Sequence, residues 1–171
     1  MTRWSCEVAE VKRIARQVVE ALPDDASFSD LEEFLFERAM VEAGRDDIRE
    51  GRVRTAAELA PWANRGTWDV AVVWSEQSAV AFVEAFQGSH SDSPENARAF
   101  EGAVAQAASH ARLQPGGGVS LPEMGDPSIR EVRIPTPRIR YRLLYEVADG
   151  VPRVLWFTSN TTCYRNVRGA R

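Results

Sequence analysis

Cysteine, histidine and lysine are scarce: the 171 residues include two cysteines, two histidines and one lysine, Lys12, against 20 arginines. Cys6 and Cys163 lie at opposite ends of the chain, so two reduced thiols are expected and a disulfide scaffold is not. A zinc site needs about four ligands at close spacing. These cysteines and the distant His90 and His110 do not provide it, and no metal or other cofactor is expected. No apolar run approaches the ~18 residues of a membrane span. The start, Met1-Thr2-Arg3-Trp4-Ser5-Cys6-Glu7, leads into charged, helix-periodic sequence and not into an apolar leader. A cytoplasmic protein without membrane contact is the expectation. G-x-S-x-G and H-E-x-x-H are absent, and Gly116-Gly117-Gly118 is not followed by the Lys-Ser/Thr of a phosphate loop.

What is present is ordinary globular composition, 44% apolar and 27% charged, with a net charge of −4. The charge is unevenly spread. Residues 1–66 carry 10 basic and 14 acidic side chains, residues 67–127 carry 2 and 8, and residues 128–171 carry 9 and 3. A basic final quarter on an acidic chain points to an anionic partner, or to an acidic segment of the same chain that covers it.

Apolar spacing predicts a helix over residues 7–22, stopped by Pro23-Asp24-Asp25. Ser29-x-x-Glu32 reads as a capping box opening a second helix, with Leu31, Phe34, Leu35, Ala39 and Met40 inward and Gly44 as its weak point. Thr55-x-x-Glu58 opens a short third helix toward Trp62. Near residue 67 the period changes. Trp68–Trp74 is β-branched and aromatic, hence a strand. Ser75 caps a helix, Gln87–Asp92 reads as a polar loop, and Ser93-Pro94 opens another helix to about Arg112. Three strands follow, over 129–134, 138–147 and 153–159, the last two joined by the hairpin signal Asp149-Gly150. The expected class is α+β: a small antiparallel sheet with two helices on one face, ordered β-α-α-β-β-β from residue 67, behind an all-helical segment that packs on it. Two units follow, 1–66 and 67–171.

Period two places Arg138, Arg140 and Arg142 on one face of a strand. Such a cluster can grip phosphates by forked hydrogen bonds. The plainer reading is a strand face that is solvated or paired with acids of the same chain. Tyr145 and most of the tryptophans read as packing residues, and His110 has no second ligand or nucleophile nearby in sequence.

Tyr141-Arg142-Leu143-Leu144-Tyr145-Glu146-Val147, with Asp149-Gly150 and Val154-Leu155-Trp156-Phe157 after it, resembles the RelE/ParE superfamily of bacterial toxins. So do Val72-Val73-Trp74-Ser75-Glu76-Gln77 before the paired helices and Leu121-Pro122-Glu123-Met124-Gly125-Asp126 before the next strand; the likeness covers about residues 68–160. Residues 22–62 resemble an antitoxin associated with such toxins. The resemblance implies a fused toxin–antitoxin chain in which the first half neutralises the second in cis. Leu31, Phe34, Leu35, Met40, Leu59 and Trp62 would be contact residues, and Val53 would add an edge strand or fill a groove. For a ribonuclease of the RelE type, which cuts mRNA on the ribosome, it implies Arg142, Arg133, Arg140 and Tyr164 as catalytic candidates. Arg130, Arg138 and Arg165 would then hold the anion. RelE-type members carry basic residues after the last strand, where this chain has Thr158-Ser159-Asn160-Thr161-Thr162. The alternatives are a ParE-type inhibitor that binds DNA gyrase and a non-toxic interaction protein. Expected partners are thus the chain's own first segment, ribosome-bound mRNA or gyrase, and a second copy of the chain.

Overall fold

The computed structural model describes residues 3–59, 72–121, 124, 126–136 and 139–159. Among them are five helices and one six-stranded sheet, an α+β arrangement with helices packed on the sheet. No helix among the described residues is long and apolar enough to cross a membrane.

Helix α1 spans Arg3–Ala21 and α2 spans Phe28–Arg49. The cap of α2 lies two residues before the expected one. Ser27 is extended, its hydroxyl accepts from the Asp30 amide at 3.3 Å, and Asp30 accepts from the Ser27 amide at 2.7 Å. Ser27-x-x-Asp30 therefore closes the reciprocal box, and Ser29 is already helical. Nor does α2 weaken at Gly44; it continues unbroken to Arg49, because packing at that glycine outweighs its poor helix propensity. The first segment is not all helical. After Gly51 (φ +74°), Val53–Thr55 forms strand β1, and Ala56–Leu59 forms α3, where Glu58 accepts from the Thr55 amide at 2.7 Å.

Strand β2 is Val73–Ser75; the rest of the expected strand, 68–71, and Trp62 lie outside the described residues. Ser75 caps α4, Glu76–Asp92, by accepting from the Ser78 amide. The expected loop at 87–92 is instead the last turns of α4. Here the Ser91 hydroxyl donates back to the Gln87 carbonyl at 2.9 Å, and Ser93 ends the helix with extended backbone before capping α5, Pro94–Leu113. Strands β3 (Val119–Ser120), β4 (Arg130–Pro135), β5 (Arg140–Ala148) and β6 (Val151–Ser159) complete the described elements. Asp149 and Gly150 both have positive φ, as a two-residue hairpin turn of the primed type requires.

The sheet order is β1-β2-β6-β5-β4-β3, with β2 parallel to β6 and every other pair antiparallel. The first segment therefore supplies a sheet edge, Val53 pairing with Ser75. On one face α4 and α5 cover a core of Trp74, Phe82, Phe100, Tyr141, Leu143 and Phe157. Leu59, from the first segment, is buried in that same core. On the other face α2 crosses β6 over a smaller core of Val41, Leu121, Met124, Ile129, Leu144 and Leu155.

The register explains how α2 approaches. Leu144 pairs with Trp156 and Tyr145 with Val154, so Leu155 is an extra residue in β6. This β-bulge sets Leu155 and Trp156 both against the α2-side core and frees the Leu155 carbonyl from the ladder. Ser75 Oγ and Gln77 Nε2 each donate to that carbonyl at 3.1 Å, and Gln77 also donates to the Met40 carbonyl of α2. Gly44 lies directly over the bulge. A Cβ there would stand 2.1 Å from the Leu155 oxygen.

Candidate functional site

The residues of α2 that face the sheet follow a helical stripe, Phe34, Glu37, Val41, Gly44 and Ile48. Its apolar members supply burial, Val41 being fully buried and worth about 1.5–3 kcal/mol. Glu37 supplies charge. Opposite it, alternation along β5 turns Arg140 and Arg142 to the α2 side, and cross-strand pairing brings Arg133 of β4 beside Arg142.

Arg142 is 5% exposed and is the centre of the site. Its Nη1 donates to Glu37 and its Nη2 donates to Glu131 of β4 at 3.0 Å. Arg133 Nε donates to the other oxygen of Glu131 at 2.7 Å. Glu37 and Glu131 are themselves buried. One guanidinium thus joins the helix layer to the sheet with both faces of its fork occupied. Burial pushes the Glu131 carboxyl up, but Arg142 and Arg133 outweigh it and hold it below the ordinary glutamate value.

A second polar clasp lies two turns further along α2. Arg45 donates through Nε to Glu146 of β5 at 2.8 Å and through Nη2 to Asp126 at 2.7 Å, and Glu42 accepts from its Nη1 at 3.3 Å. Burial alone pushes the Asp126 carboxyl up. Hydrogen bonds from the Ser128 hydroxyl and amide, and from Arg45, override this and lower it to about 2. At the end of α2, Asp47 accepts from Arg52 and from the amide of Gln77 at the start of α4. Ion pairs and hydrogen bonds at Glu37, Met40, Arg45 and Asp47 therefore hold α2 against the sheet and the start of α4.

Of the expected site residues, Arg133, Arg140 and Arg142 share one face, but only Arg142 of the three is buried; Arg133 and Arg140 are exposed. Arg130 falls on the opposite face, where its Nη1 donates to the Gly116 and Gly118 carbonyls at 3.0 Å. It fastens the glycine loop and does not join the cluster. Tyr145 donates to the Pro115 carbonyl and accepts from the Gly118 amide, so it anchors the same loop as a packing residue. Arg138, Tyr164 and Arg165 lie outside the described residues. Among the expected contacts, Phe34 and Leu59 are buried, and Leu31, Met40 and Val53 are half-buried. Leu35 is 40% exposed, because the stripe that meets the sheet is turned about one residue away from it.

Sequence reasoning missed Glu37, Gly44, Arg45, Asp126 and Glu131. One signal was present: the spacing Glu37, Val41, Gly44, Ile48 is that of a single helix face, opposite a strand rich in arginine. No protein-family model matches the chain, and neither a curated protein nor a solved structure proved significantly similar to it.

Proposed function

We propose that the chain is a fused toxin–antitoxin protein of the RelE/ParE type, in which the first segment neutralises the domain behind it in cis. The observation that carries this reading is the burial of Arg142 beneath α2, with Glu37 on its guanidinium. The same segment also completes the sheet edge through β1 and the main core through Leu59. A short covalent tether keeps such a cover at an effective concentration on the order of millimolar. The covered face then meets another molecule only when α2 lifts.

Two targets of the uncovered face differ in chemistry. Arg142, Arg133 and Arg140 suit a phosphate held by forked donors, which is the ribonuclease reading. Glu131 favours the second reading, contact with a protein such as gyrase. It belongs to β4 and not to α2, and its two oxygens take donors of Arg142 and Arg133 that a scissile phosphate would need.

Growth of bacteria expressing residues 67–171 should stop, whereas the full chain should leave growth unaffected. Loss of mRNA integrity in arrested cells would assign the ribonuclease reading, and loss of supercoiling with intact mRNA the gyrase reading. Soluble 67–171 that leaves growth, transcripts and supercoiling unchanged would contradict the toxin assignment.

A further inference from the structure

Between the first half of α2 and the end of β6 runs a groove of about 410 Å³. Ser29, Glu32, Glu33 and Phe36 line it from the helix, and Trp156 and Ser159 from the strand. Phe36 and Trp156 meet edge to face at 6.3 Å between ring centroids, yet Phe36 is 58% exposed. Arg142 forms the floor, already engaged by Glu37 and Glu131. The walls are therefore acidic and aromatic. Burial pushes the Glu33 carboxyl up despite the nearby Arg142, so a further cation in the groove would relieve it.

We propose that this groove is the docking site of the chain's own residues 160–171. This inference stands apart from the toxin reading and needs no toxic activity. Three observations select this occupant. The segment starts where the groove is, since Ser159 is in its wall. Its sequence, Asn-Thr-Thr-Cys-Tyr-Arg-Asn-Val-Arg-Gly-Ala-Arg, has three arginines and no acid, the complement of Glu32 and Glu33. Arginine also suits the exposed Phe36 ring, over whose face a guanidinium is attracted. Reach is no obstacle. Residues 160–163, at roughly 3.3 Å each when extended, can bring Tyr164 and Arg165 to any point within about 15 Å of Ser159. Docked there, the segment ties the N-terminal half of α2 to the sheet, on the side of Glu37 away from the Arg45 clasp.

Cys163 makes the docking measurable in the full chain. Ser29→Cys in a Cys6→Ser background places a thiol in the groove wall, at an exposed position that does not cap α2. The comparison is Gly102→Cys in the same background, on exposed α5, where an added Cβ meets nothing within 4 Å. A disulfide needs the two Cβ atoms within about 4 Å. Under mild oxidation with copper phenanthroline, the Ser29→Cys protein should form an intrachain bridge to Cys163 about tenfold faster than the comparison protein. Adding Arg165→Glu and Arg168→Glu should bring that rate down to the comparison rate. Equal rates for the two thiol positions would overturn the proposal, as would a rate unmoved by the charge reversals. Bridged dimers in place of the intrachain product would assign the groove to a second copy and overturn it as stated.

Discussion

Arg142→Ala is expected to destabilise the full chain by about 3–5 kcal/mol, the cost of leaving buried charge uncompensated. The guanidinium is the positive centre between Glu37, 4% exposed, and Glu131, 3% exposed. Without it two buried carboxylates are left facing each other, with only the exposed Arg133 still on Glu131. One of them must take up a proton, or α2 must part from the sheet to admit solvent. Glu37→Ala should cost less, about 1–3 kcal/mol, because Arg142 keeps its 3.0 Å bond to Glu131. The order of the two losses is the sharper prediction, and denaturant unfolding of both variants measures it. Equal losses, or a loss below about 1 kcal/mol for Arg142→Ala, would show that the guanidinium does not hold the layers together.

Gly44→Ala should reverse the usual sign for a helical glycine. In an open helix the exchange stabilises by up to about 1 kcal/mol. Here the new Cβ would lie 2.1 Å from the Leu155 oxygen, 2.8 Å from its carbonyl carbon and 2.9 Å from its Cα. All three are backbone atoms of a bulge whose carbonyl is fixed by Ser75 and Gln77, so no side chain can swing aside. The helix has to rise, which loosens the Val41–Leu144–Leu155 packing and lengthens the Glu37–Arg142 and Arg45–Asp126 ties together. A loss of about 3 kcal/mol is expected, at the upper end for overpacking. For a chain of this size that lowers the Tm by roughly 6–12 °C. Gly102→Ala is the internal comparison: nothing lies within 4 Å of its added Cβ, so stability should hold or rise. Similar thermal shifts for both glycines would remove the close approach from the account.

The parts of the fold legible in sequence are those fixed by local chemistry. Ser75, the Ser93-Pro94 pair and Asp149-Gly150 each satisfy backbone groups or special dihedrals within a few residues, and each stands where its sequence places it. The alternation of β5 likewise puts Arg140 and Arg142 on one face; Arg138, expected with them, lies outside the described residues. The contact face of α2 was illegible for the opposite reason. Its sheet-facing stripe contains a glutamate and a glycine, and the second helix carries Leu35 and Phe36 outside that stripe. Apolar periodicity therefore points slightly past the true contact line. Glu37 and Gly44 become inward residues only once the sheet supplies a guanidinium for one and a bulged backbone for the other. The bulge at Leu155 was equally hidden, since Val154-Leu155-Trp156-Phe157 is apolar throughout and shows no period that a slip could break.

In the proposed function, neutralisation would rest on one helix meeting one strand face through matched charge and a close backbone approach. The most direct test supplies the two halves from separate genes. Residues 1–66 should restore growth to cells arrested by residues 67–171, and the same segment with Glu37→Lys, which sets a cation against Arg142, should fail to do so while remaining soluble. Rescue by the Glu37→Lys segment equal to that of the unaltered one would contradict the account.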